Sequence, residues 1–449
     1  MKKHLLLIFT LLLSISLAAQ TSEEYQALLK RVEQLEAQSK VKQDSTIATP
    51  KKSRLTIGGY GEITMSYHNY SSAWQRYTKP DTYADASGYG RFDIPRLVLM
   101  LGYDFGKGWS FGTEIEFEHG GTGAVVEIEE EETGEYETEV ESGGEVVLEQ
   151  FWINKRWADL LNLKMGHIIV PVGATNQSHL PVEYFGVSRP EGDTQILPTT
   201  WHETGISLWG QNEEWYYELQ FIAGLDADRF SPENWVGGSA GSIYEFKIAN
   251  SYAGAFRLNN SSINNLTLGL SGYYGNSASN TLQSYSYNNL EGTVMIGAFD
   301  FNYSPKAFIA RGGIIYGTLS DSYAIATGNA GAANAAPTSG KNSIGSAAIS
   351  LGVEAGYDIF SLSKRMSEKK QTFYVFGRYD YYDSMYKVAE GLSHYAYWER
   401  RCYSIGINYS PIKELVFKAE YKYRDIIDDE FNDEPTFSIG LMWAGFFKR

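Results

Sequence analysis

Residues 417–424 read Phe-Lys-Ala-Glu-Tyr-Lys-Tyr-Arg and show the pattern on which the fold prediction rests. Apolar and aromatic residues occupy the odd positions, and four charged residues, Lys418, Glu420, Lys422 and Arg424, occupy the even ones. Successive side chains of a β-strand point to opposite faces, so this stretch predicts a strand with one apolar and one charged face. Residues 435–447 continue the alternation, with Phe437, Ile439 and Leu441 on one face.

The same period-two alternation recurs along the chain and gives sixteen candidate strands. They are residues 55–68, 91–103, 109–119, 146–157, 161–170, 202–210, 214–224, 251–259, 265–275, 293–303, 306–317, 346–358, 372–382, 400–409, 413–424 and 435–447. Tight connections such as 158–160 alternate with long ones such as 171–201 and 225–250. Short turns at one end, long loops at the other and an even strand number are typical of an outer-membrane barrel.

A soluble β-sandwich would show the same alternation, so the context of the strands has to separate the two folds. A sandwich turns its charges to water, whereas a barrel turns its apolar face to lipid and its charges to a wet lumen. An export signal, the alternating loop lengths and aromatic residues near strand ends, such as Trp109 and Trp157, favour the barrel. We predict an all-β chain, with residues 55–449 forming a sixteen-stranded antiparallel transmembrane β-barrel.

The composition agrees with this class of protein. The 449 residues include 45 Gly and 14% aromatic residues, which suit strands better than helices. The net charge of -16 disfavours a nucleic-acid partner, because binding a phosphate backbone depends on basic side chains. The single cysteine, Cys402, excludes an intrachain disulfide and a Cys-based zinc site.

Three segments precede the predicted barrel. Residues 1–19 combine Lys2 and Lys3 with an apolar run and Ala18-Ala19, which predicts a secretory signal peptide. Residues 20–40 predict a periplasmic coiled-coil-like helix, because Tyr25, Leu28, Val32 and Leu35 recur at spacings of three, four and three. We predict that this apolar stripe packs against copies of itself; the alternative is a single amphipathic segment that lies on the barrel or is disordered. Residues 41–54 are polar and linker-like.

Several motifs, in this order, resemble those of the phosphate-selective porin O and P family. They are Gly-His-Ile-Ile-Val-Pro-Val-Gly at 166–173, Arg-Pro-Glu at 189–191, Thr-Thr-Trp-His-Glu-Thr-Gly at 199–205 and Gly-Arg-Tyr-Asp-Tyr-Tyr-Asp at 377–383. The resemblance covers about residues 52–449. It implies a trimeric channel in the outer membrane of a Gram-negative bacterium, with the third external loop, here 171–201, folded into the pore. The luminal arginine ladder of anion-specific members does not carry over residue by residue.

The face opposite the apolar one predicts which charged side chains enter the lumen. The acids are Glu62, Glu114, Glu116, Glu118, Glu203, Glu218, Asp300, Glu354, Asp380 and Glu420, and the bases are Arg96, Lys164, Arg257, Arg311, Arg378, Arg400, Lys418, Lys422 and Arg424. Bases dominate the predicted strands thirteen to fifteen, and acids dominate strands one and three. This distribution predicts either a basic wall facing an acidic wall across the constriction or charges that pair between neighbouring strands.

From these charges we select the candidate pore-lining and solute-binding residues. They are Arg96, Glu114, Glu116, Arg311, Arg378, Asp380, Arg400, Lys418, Glu420, Lys422 and Arg424, together with Arg189 in the third external loop.

The predicted external loop 127–145 contains ten Glu and no basic residue. Such a run is consistent with solvated surface. Alternatively, it attracts cations to the mouth or binds a divalent cation, for which Glu129, Glu130, Glu131 and Glu132 are the candidate ligands.

We predict that the chain is not an enzyme and needs no cofactor. It contains neither H-E-x-x-H nor a glycine-rich phosphate loop followed by Lys-Ser/Thr. His202-Glu203 is a possible acid–base pair, but neighbouring residues of a strand point to opposite faces.

The main functional hypothesis is a porin for passive diffusion of small hydrophilic solutes, with anions such as phosphate suggested by the resemblance. The alternatives are a non-selective or weakly cation-preferring porin, and a barrel that serves as a surface adhesin or structural anchor. The expected partners are solutes and ions, outer-membrane lipid, two further copies in a homotrimer, and the outer-membrane assembly machinery. That machinery would read the alternation that ends at Phe446-Phe447.

Deleting residues 21–40 should weaken the oligomer without unfolding the barrel, because the hydrogen bonds of a barrel close on themselves. Native electrophoresis and heat dissociation measure the effect. An oligomer of unchanged stability would contradict self-association through this segment.

Overall fold

The computed structural model describes residues 53–130, 136–239, 248–280, 287, 289–330, 343–428 and 430–448; within these ranges, side chains are not described at 122–130, 136–145, 329–330 and 448. The predicted signal peptide and coiled-coil-like helix lie outside the described residues.

The described residues form seventeen β-strands. They are β1 (Leu55–His68), β2 (Tyr89–Asp93), β3 (Arg96–Gly106), β4 (Trp109–Glu130), β5 (Tyr136–Ala158), β6 (Leu161–Ile169), β7 (His202–Gln211), β8 (Trp215–Ala223), β9 (Tyr252–Asn260), β10 (Leu266–Asn276), β11 (Thr293–Tyr303), β12 (Phe308–Leu319), β13 (Gly345–Asp358), β14 (Thr372–Val388), β15 (Glu399–Ile412), β16 (Leu415–Ile426) and β17 (Glu434–Lys448).

Short helices occur in the connections. The α-helices are α1 (Pro80–Tyr83), α2 (Ala174–Gln177), α3 (Glu191–Ile196), α4 (Ser322–Ala330) and α5 (Lys364–Glu368). Turns of 3₁₀-helix cover Trp74–Tyr77, Ala227–Arg229, Gly237–Ser239, Ala278–Asn280, Ile359–Leu362 and Ala396–Trp398. Across the described part of the chain, no helix has both the length and the apolar character needed to cross a membrane.

The strands close into a single antiparallel barrel. Apart from β2 and β3, strands that are neighbours in sequence pair with each other, and β17 pairs back to β1 from Ile57↔Lys448 to His68↔Thr436. Both β2 and β3 pair with β1, so they are two halves of one barrel strand interrupted at Ile94-Pro95. Proline fits this break because it has no N–H to donate to a ladder. The prediction of sixteen barrel strands is therefore confirmed.

The two faces of the strands have the predicted character. In β16, Phe417 and Tyr421 are exposed on the outer surface, whereas Lys418 and Glu420 are buried inside. The outer surface carries large apolar side chains on nearly every strand, Leu99, Ile314 and Ile439 among them. A closed barrel with such an exterior satisfies its own backbone groups and can lie in hydrocarbon.

The acidic segment differs from its prediction as a loop. Strands β4 and β5 continue beyond the barrel wall and pair from Gly123↔Gly144 to Glu130↔Tyr136. The segment is thus a β-hairpin, and its tip, residues 131–135, lies outside the described residues. Val125, Val126, Ile128 and Val140 are β-branched and favour strands, a signal that the run of glutamates obscured.

The lumen also differs from the wholly wet interior that the sequence suggested. Ala253, Ala255, Val294 and Ile296 of β9 and β11 point inward and belong to a buried apolar cluster. The connections fold over these strands and add their own apolar side chains to it, such as Phe230 and Trp235. One side of the barrel is therefore filled by a hydrophobic core made of strands and loops.

Gly317→Ala should destabilise this core. A Cβ at Gly317 would lie 2.1 Å from the ring of the fully buried Trp235, and overpacking of this kind costs about 1–3 kcal/mol. We expect a lower unfolding temperature, measured by the change in gel migration of the folded barrel on heating. Gly297→Ala in β11 is the matched control, because no atom lies within 4 Å of its added Cβ. Equal effects of the two substitutions would contradict the role of Trp235.

Candidate functional site

Residues 171–201, which we call the inward loop, leave the wall after β6 and run inside the barrel before β7. The turn into the lumen uses Gly173 at a φ of 78°, a left-handed conformation that glycine adopts without strain. The Gly173 N–H donates to Ser271 Oγ (3.1 Å), and Arg257 Nη1 donates to the Gly173 carbonyl (3.2 Å). Val170, Val172 and Trp201 are buried at the base of the loop. This inward course is the one that the family resemblance implied.

Helix α3 of the inward loop is held by an ion-pair network on β14 and β16. Glu191 accepts hydrogen bonds from Lys422 Nζ (3.0 Å), Arg424 Nε (2.5 Å) and the Tyr382 hydroxyl (2.7 Å). Burial alone would raise the pKa of Glu191, but Arg424 and Lys422 hold it well below its usual range. Glu191 is therefore ionised and fixes the loop to the wall.

The middle of the inward loop is held through its backbone. Lys418 Nζ donates to the carbonyls of Tyr184 and Gly186, both at 2.7 Å. Glu420 accepts from the Val187 N–H (2.9 Å) and Glu354 from the Phe185 N–H (3.3 Å). Each of these buried wall charges satisfies a loop group that would otherwise lose its hydrogen bond to water.

The loop also contacts β1, β3 and β4 through His179 and Tyr184. Arg96 of β3 pairs with Glu62 of β1 and donates to the His179 carbonyl (2.7 Å). The His179 ring faces Glu114 on β4, with Nε2 3.6 Å from Oε2. Burial would lower the pKa of His179, but Glu114 and Glu149 raise it to about 9.

A cavity of about 90 Å³ lies between the inward loop and the wall formed by β9 to β14, and we call it the constriction cavity. Its charged lining from β9, β11, β12, β13 and β14 consists of Arg257, Asp300, Arg311, Glu354, Arg378 and Asp380, and the loop adds Thr175, Glu183 and Asp193. The cavity is thus a gap between the inward loop and the wall, and charged side chains line it.

The wall charges of the constriction cavity form ion pairs. Arg257 contacts Asp300 (2.7 Å), and Arg311 pairs with Glu354. Arg378 makes a bidentate contact with Asp380, at 2.7 and 3.0 Å. The three arginines are therefore matched by three wall carboxylates, and the loop residues Glu183 and Asp193 add further negative charge.

Asp193 has a distinctive environment among these residues. Its Oδ2 accepts from Thr175 Oγ1 at 2.6 Å. Burial, helped by the nearby Asp380, raises the pKa of Asp193 to about 6, although the Thr175 hydrogen bond opposes the change. Asp193 therefore changes from neutral to negatively charged near pH 6.

The predicted pore-lining residues other than Arg400 fall into three groups. Arg311, Arg378 and Asp380 line the constriction cavity. Arg96, Glu114, Glu116, Lys418, Glu420, Lys422 and Arg424 are inside the barrel where the inward loop meets the wall. Arg189 is half-buried and is not among the residues that line the cavity in the described part of the chain.

Arg400 belongs to a cluster near the first long connection. Its Nη2 donates to the Tyr77 hydroxyl (2.8 Å), and Glu434 accepts from Arg76 and Arg424 in the same cluster. The interpretation of β14–β16 as an open basic wall therefore does not match the geometry, because these bases hold loops through ion pairs and hydrogen bonds.

The metal candidates Glu129 and Glu130 have undescribed side chains, and Glu131 and Glu132 lie outside the described residues.

Several residues of the site escaped the sequence analysis. Asp193, Glu183, Glu191 and His179 belong to a loop, where no alternation tells which side chains turn inward. Glu149 was missed for a different reason: Glu114 pairs with Gln150 and Ile115 with Leu148, so a β-bulge leaves Glu149 unpaired in the ladder and turns it inward.

Residues 237–241 read Gly-Gly-Ser-Ala-Gly and match G-x-S-x-G, the pattern of a hydrolase nucleophile. Ser239 lies at the end of a 3₁₀ turn, is fully buried and donates to the Val236 carbonyl. A nucleophile of this type needs an exposed hydroxyl on a strand-to-helix turn, so Ser239 does not have the required context.

No family model matches the sequence. An uncharacterised protein of Aquifex aeolicus is 27% identical over 403 residues, which are 87% of this chain and 80% of that protein. The anion-selective porin of Comamonas acidovorans has a similar structure, with a TM-score of 0.50, 11% identity and coverage of 87% of this chain and 99% of the porin. OmpF of Salmonella typhi, in complex with daunomycin, also gives 0.50, with 8% identity and coverage of 87% and 97%. The chain therefore has the fold of outer-membrane porins, and its apolar exterior suits the outer membrane of a Gram-negative bacterium.

Glu191→Gln should loosen the inward loop. The substitution removes the charge that pairs with Lys422 and Arg424, and breaking a buried pair costs about 3–5 kcal/mol. We expect larger and noisier single-channel currents in planar bilayers, because α3 no longer stays on the wall. Glu214→Gln, in the turn between β7 and β8, is the control and should leave the currents unchanged. Identical traces for Glu191→Gln and the unmodified chain would show that this network does not hold the loop.

Proposed function

We propose that this protein is a general porin, through which small hydrophilic solutes diffuse passively along the constriction cavity. The observation that carries the proposal is a gap, lined by charged side chains, between an inward-folded loop and the wall of a closed barrel. The fold shared with outer-membrane porins supports it. Anchored loops inside a barrel narrow the lumen and so limit the size of the solutes.

Within this function we propose a weak preference for cations. Three arginines face five carboxylates in the lining of the constriction cavity, and the arginines contact wall carboxylates. A fixed negative excess at a narrow section raises the local concentration of cations. The preference for anions such as phosphate, implied by the family resemblance, stays a prediction, and the reversal potential decides between the two.

The assembly remains part of the proposal. We propose an exported chain whose signal peptide, residues 1–19, is removed, and a homotrimer supported by a coiled-coil-like helix at residues 20–40. Insertion by the outer-membrane assembly machinery, which would read the C-terminal strand β17, belongs to the same proposal. A role as a surface adhesin or structural anchor is the alternative, and a barrel without measurable conductance would favour it.

Asp193→Asn should lower the cation-to-anion permeability ratio at pH 7.5, by about twofold or more, because potentials in narrow charged clefts reach several kT. Reversal potentials in a potassium chloride gradient measure this ratio. Since the pKa of Asp193 is raised to about 6, the carboxyl group is ionised at pH 7.5 and mostly neutral at pH 5. The cation-to-anion permeability ratio of the unmodified channel should therefore decrease when the pH is lowered from 7.5 to 5. This decrease should be smaller in Asp193→Asn.

Asp159→Asn is the control for this measurement, because Asp159 is an exposed carboxylate in the turn between β5 and β6. It should change neither the ratio nor its pH dependence. A channel that conducts but prefers anions at both pH values would contradict the cation preference and leave the porin function intact.

A further inference from the structure

Three potential metal ligands from different parts of the chain meet where the inward loop touches β4 and β5. They are Glu114 of β4, Glu149 at the bulge of β5 and His179 of the inward loop, and one ligand atom of each lies within 4.8 Å of the other two. His179 Nε2 lies 3.6 Å from Glu114 Oε2. The pore does not depend on this cluster for its lining, since none of the three residues borders the constriction cavity in the described part of the chain.

The cluster contains buried polar atoms that lack hydrogen-bond partners. Glu149 is completely buried; its Oε2 accepts from the Tyr60 hydroxyl (3.0 Å), whereas its Oε1 has no hydrogen-bond partner. Glu114 Oε2 and both ring nitrogens of His179 also lack a hydrogen bond. Native proteins rarely leave buried polar atoms without a partner, and a bound ion commonly supplies one.

The charges around the cluster leave a negative excess. Arg96 is the nearby base, and it pairs with Glu62 and donates to the backbone carbonyl of His179. His179 is the cationic side chain that contacts Glu114, while Glu116, also buried, adds another carboxylate on the same face of β4. Buried carboxylates need a cation or a metal to compensate for the loss of water.

We propose that Glu114, Glu149 and His179 bind a divalent transition-metal ion of the zinc type. Zinc takes imidazole nitrogen and carboxylate oxygen at about 2.0–2.2 Å, so two tetrahedral ligands are about 3.4 Å apart. The contact of 3.6 Å is close to this separation. Calcium and magnesium prefer sets made of oxygen alone, and an imidazole ligand therefore argues against both.

The site is built to hold its ligands in place. The Tyr60 hydroxyl orients Glu149, and the Tyr60 ring packs edge-on against the His179 ring at 6.0 Å. Arg96 fixes the backbone of His179 at the same time. Such supporting contacts orient metal ligands in known sites and raise their affinity.

The metal would connect two structural units. Glu114 and Glu149 belong to the barrel wall, whereas His179 belongs to the inward loop, so a bound ion clamps this part of the loop to β4 and β5. This clamp supplements the Glu191 network on β14 and β16. The inference goes beyond the proposed channel function, since it holds for whichever solute crosses the lumen.

Zinc chloride titration of the purified, EDTA-treated full-length barrel tests the proposal. We expect one tightly bound zinc per chain by calorimetry, and a higher unfolding temperature in its presence. His179→Gln and Glu149→Gln should each weaken this binding by more than about tenfold and abolish the rise in unfolding temperature. His119→Gln, which removes an exposed histidine in the middle of β4, should behave like the unmodified chain.

Glutamates of the β4–β5 hairpin could also attract zinc, and Glu129→Gln combined with Glu130→Gln measures their contribution. X-ray absorption of the zinc-loaded, unmodified protein provides a test that needs no variant. An imidazole nitrogen together with carboxylate oxygens in the zinc shell would support the site. Oxygen ligands alone, or tight binding that survives both His179→Gln and Glu149→Gln, would overturn it. Failure to bind zinc would also overturn it, and a protonated His179 between the two carboxylates would then account for the cluster.

Discussion

The backbone of each barrel strand must find its hydrogen-bond partners within the chain, because the hydrocarbon of a membrane offers none. The pairing of β17 with β1 meets this requirement by removing the last two free edges of the sheet. Closure also creates an interior that is shielded from lipid, in which charged residues can remain hydrated or paired. The inward loop, the ion pairs and the constriction cavity all depend on that shielded space.

The interior charges perform two tasks on different sides of the lumen. On β16, Lys418, Glu420 and Lys422 are used to hold the inward loop. On β9–β14 the wall arginines pair with carboxylates of the wall itself and leave a gap beside the loop. The constriction cavity therefore lies along β9 and β11–β14, beside a loop whose middle is held mainly by β16.

Much of the fold could be predicted from the sequence because the side chains of a barrel strand alternate between the lipid and the interior, so that apolar and polar residues recur with a period of two. The bounds of β1 and β11 match their predictions, and the inward positions of Arg378 and Lys418 follow from the same rule. The rule fails where the backbone departs from the period of two. The bulge in β5 turns Glu149 inward, and the alternation of the sequence does not predict this bulge. It also cannot place loop residues such as Asp193, whose position depends on contacts far away in sequence.

The buried cluster on β9–β12 makes some strands apolar on both faces. In β11, Met295 is exposed on the outer surface while Ile296 is buried inside, and Ile314 and Ile315 of β12 repeat this arrangement. In the folded barrel one face meets lipid and the other meets the folded loops. Before the barrel forms, the same residues meet water on both sides, and short uncharged segments of high β-propensity then tend to pair with other chains. Residues 294–299 and 312–316 are consequently segments of the unfolded chain that need protection from aggregation on the way to the membrane.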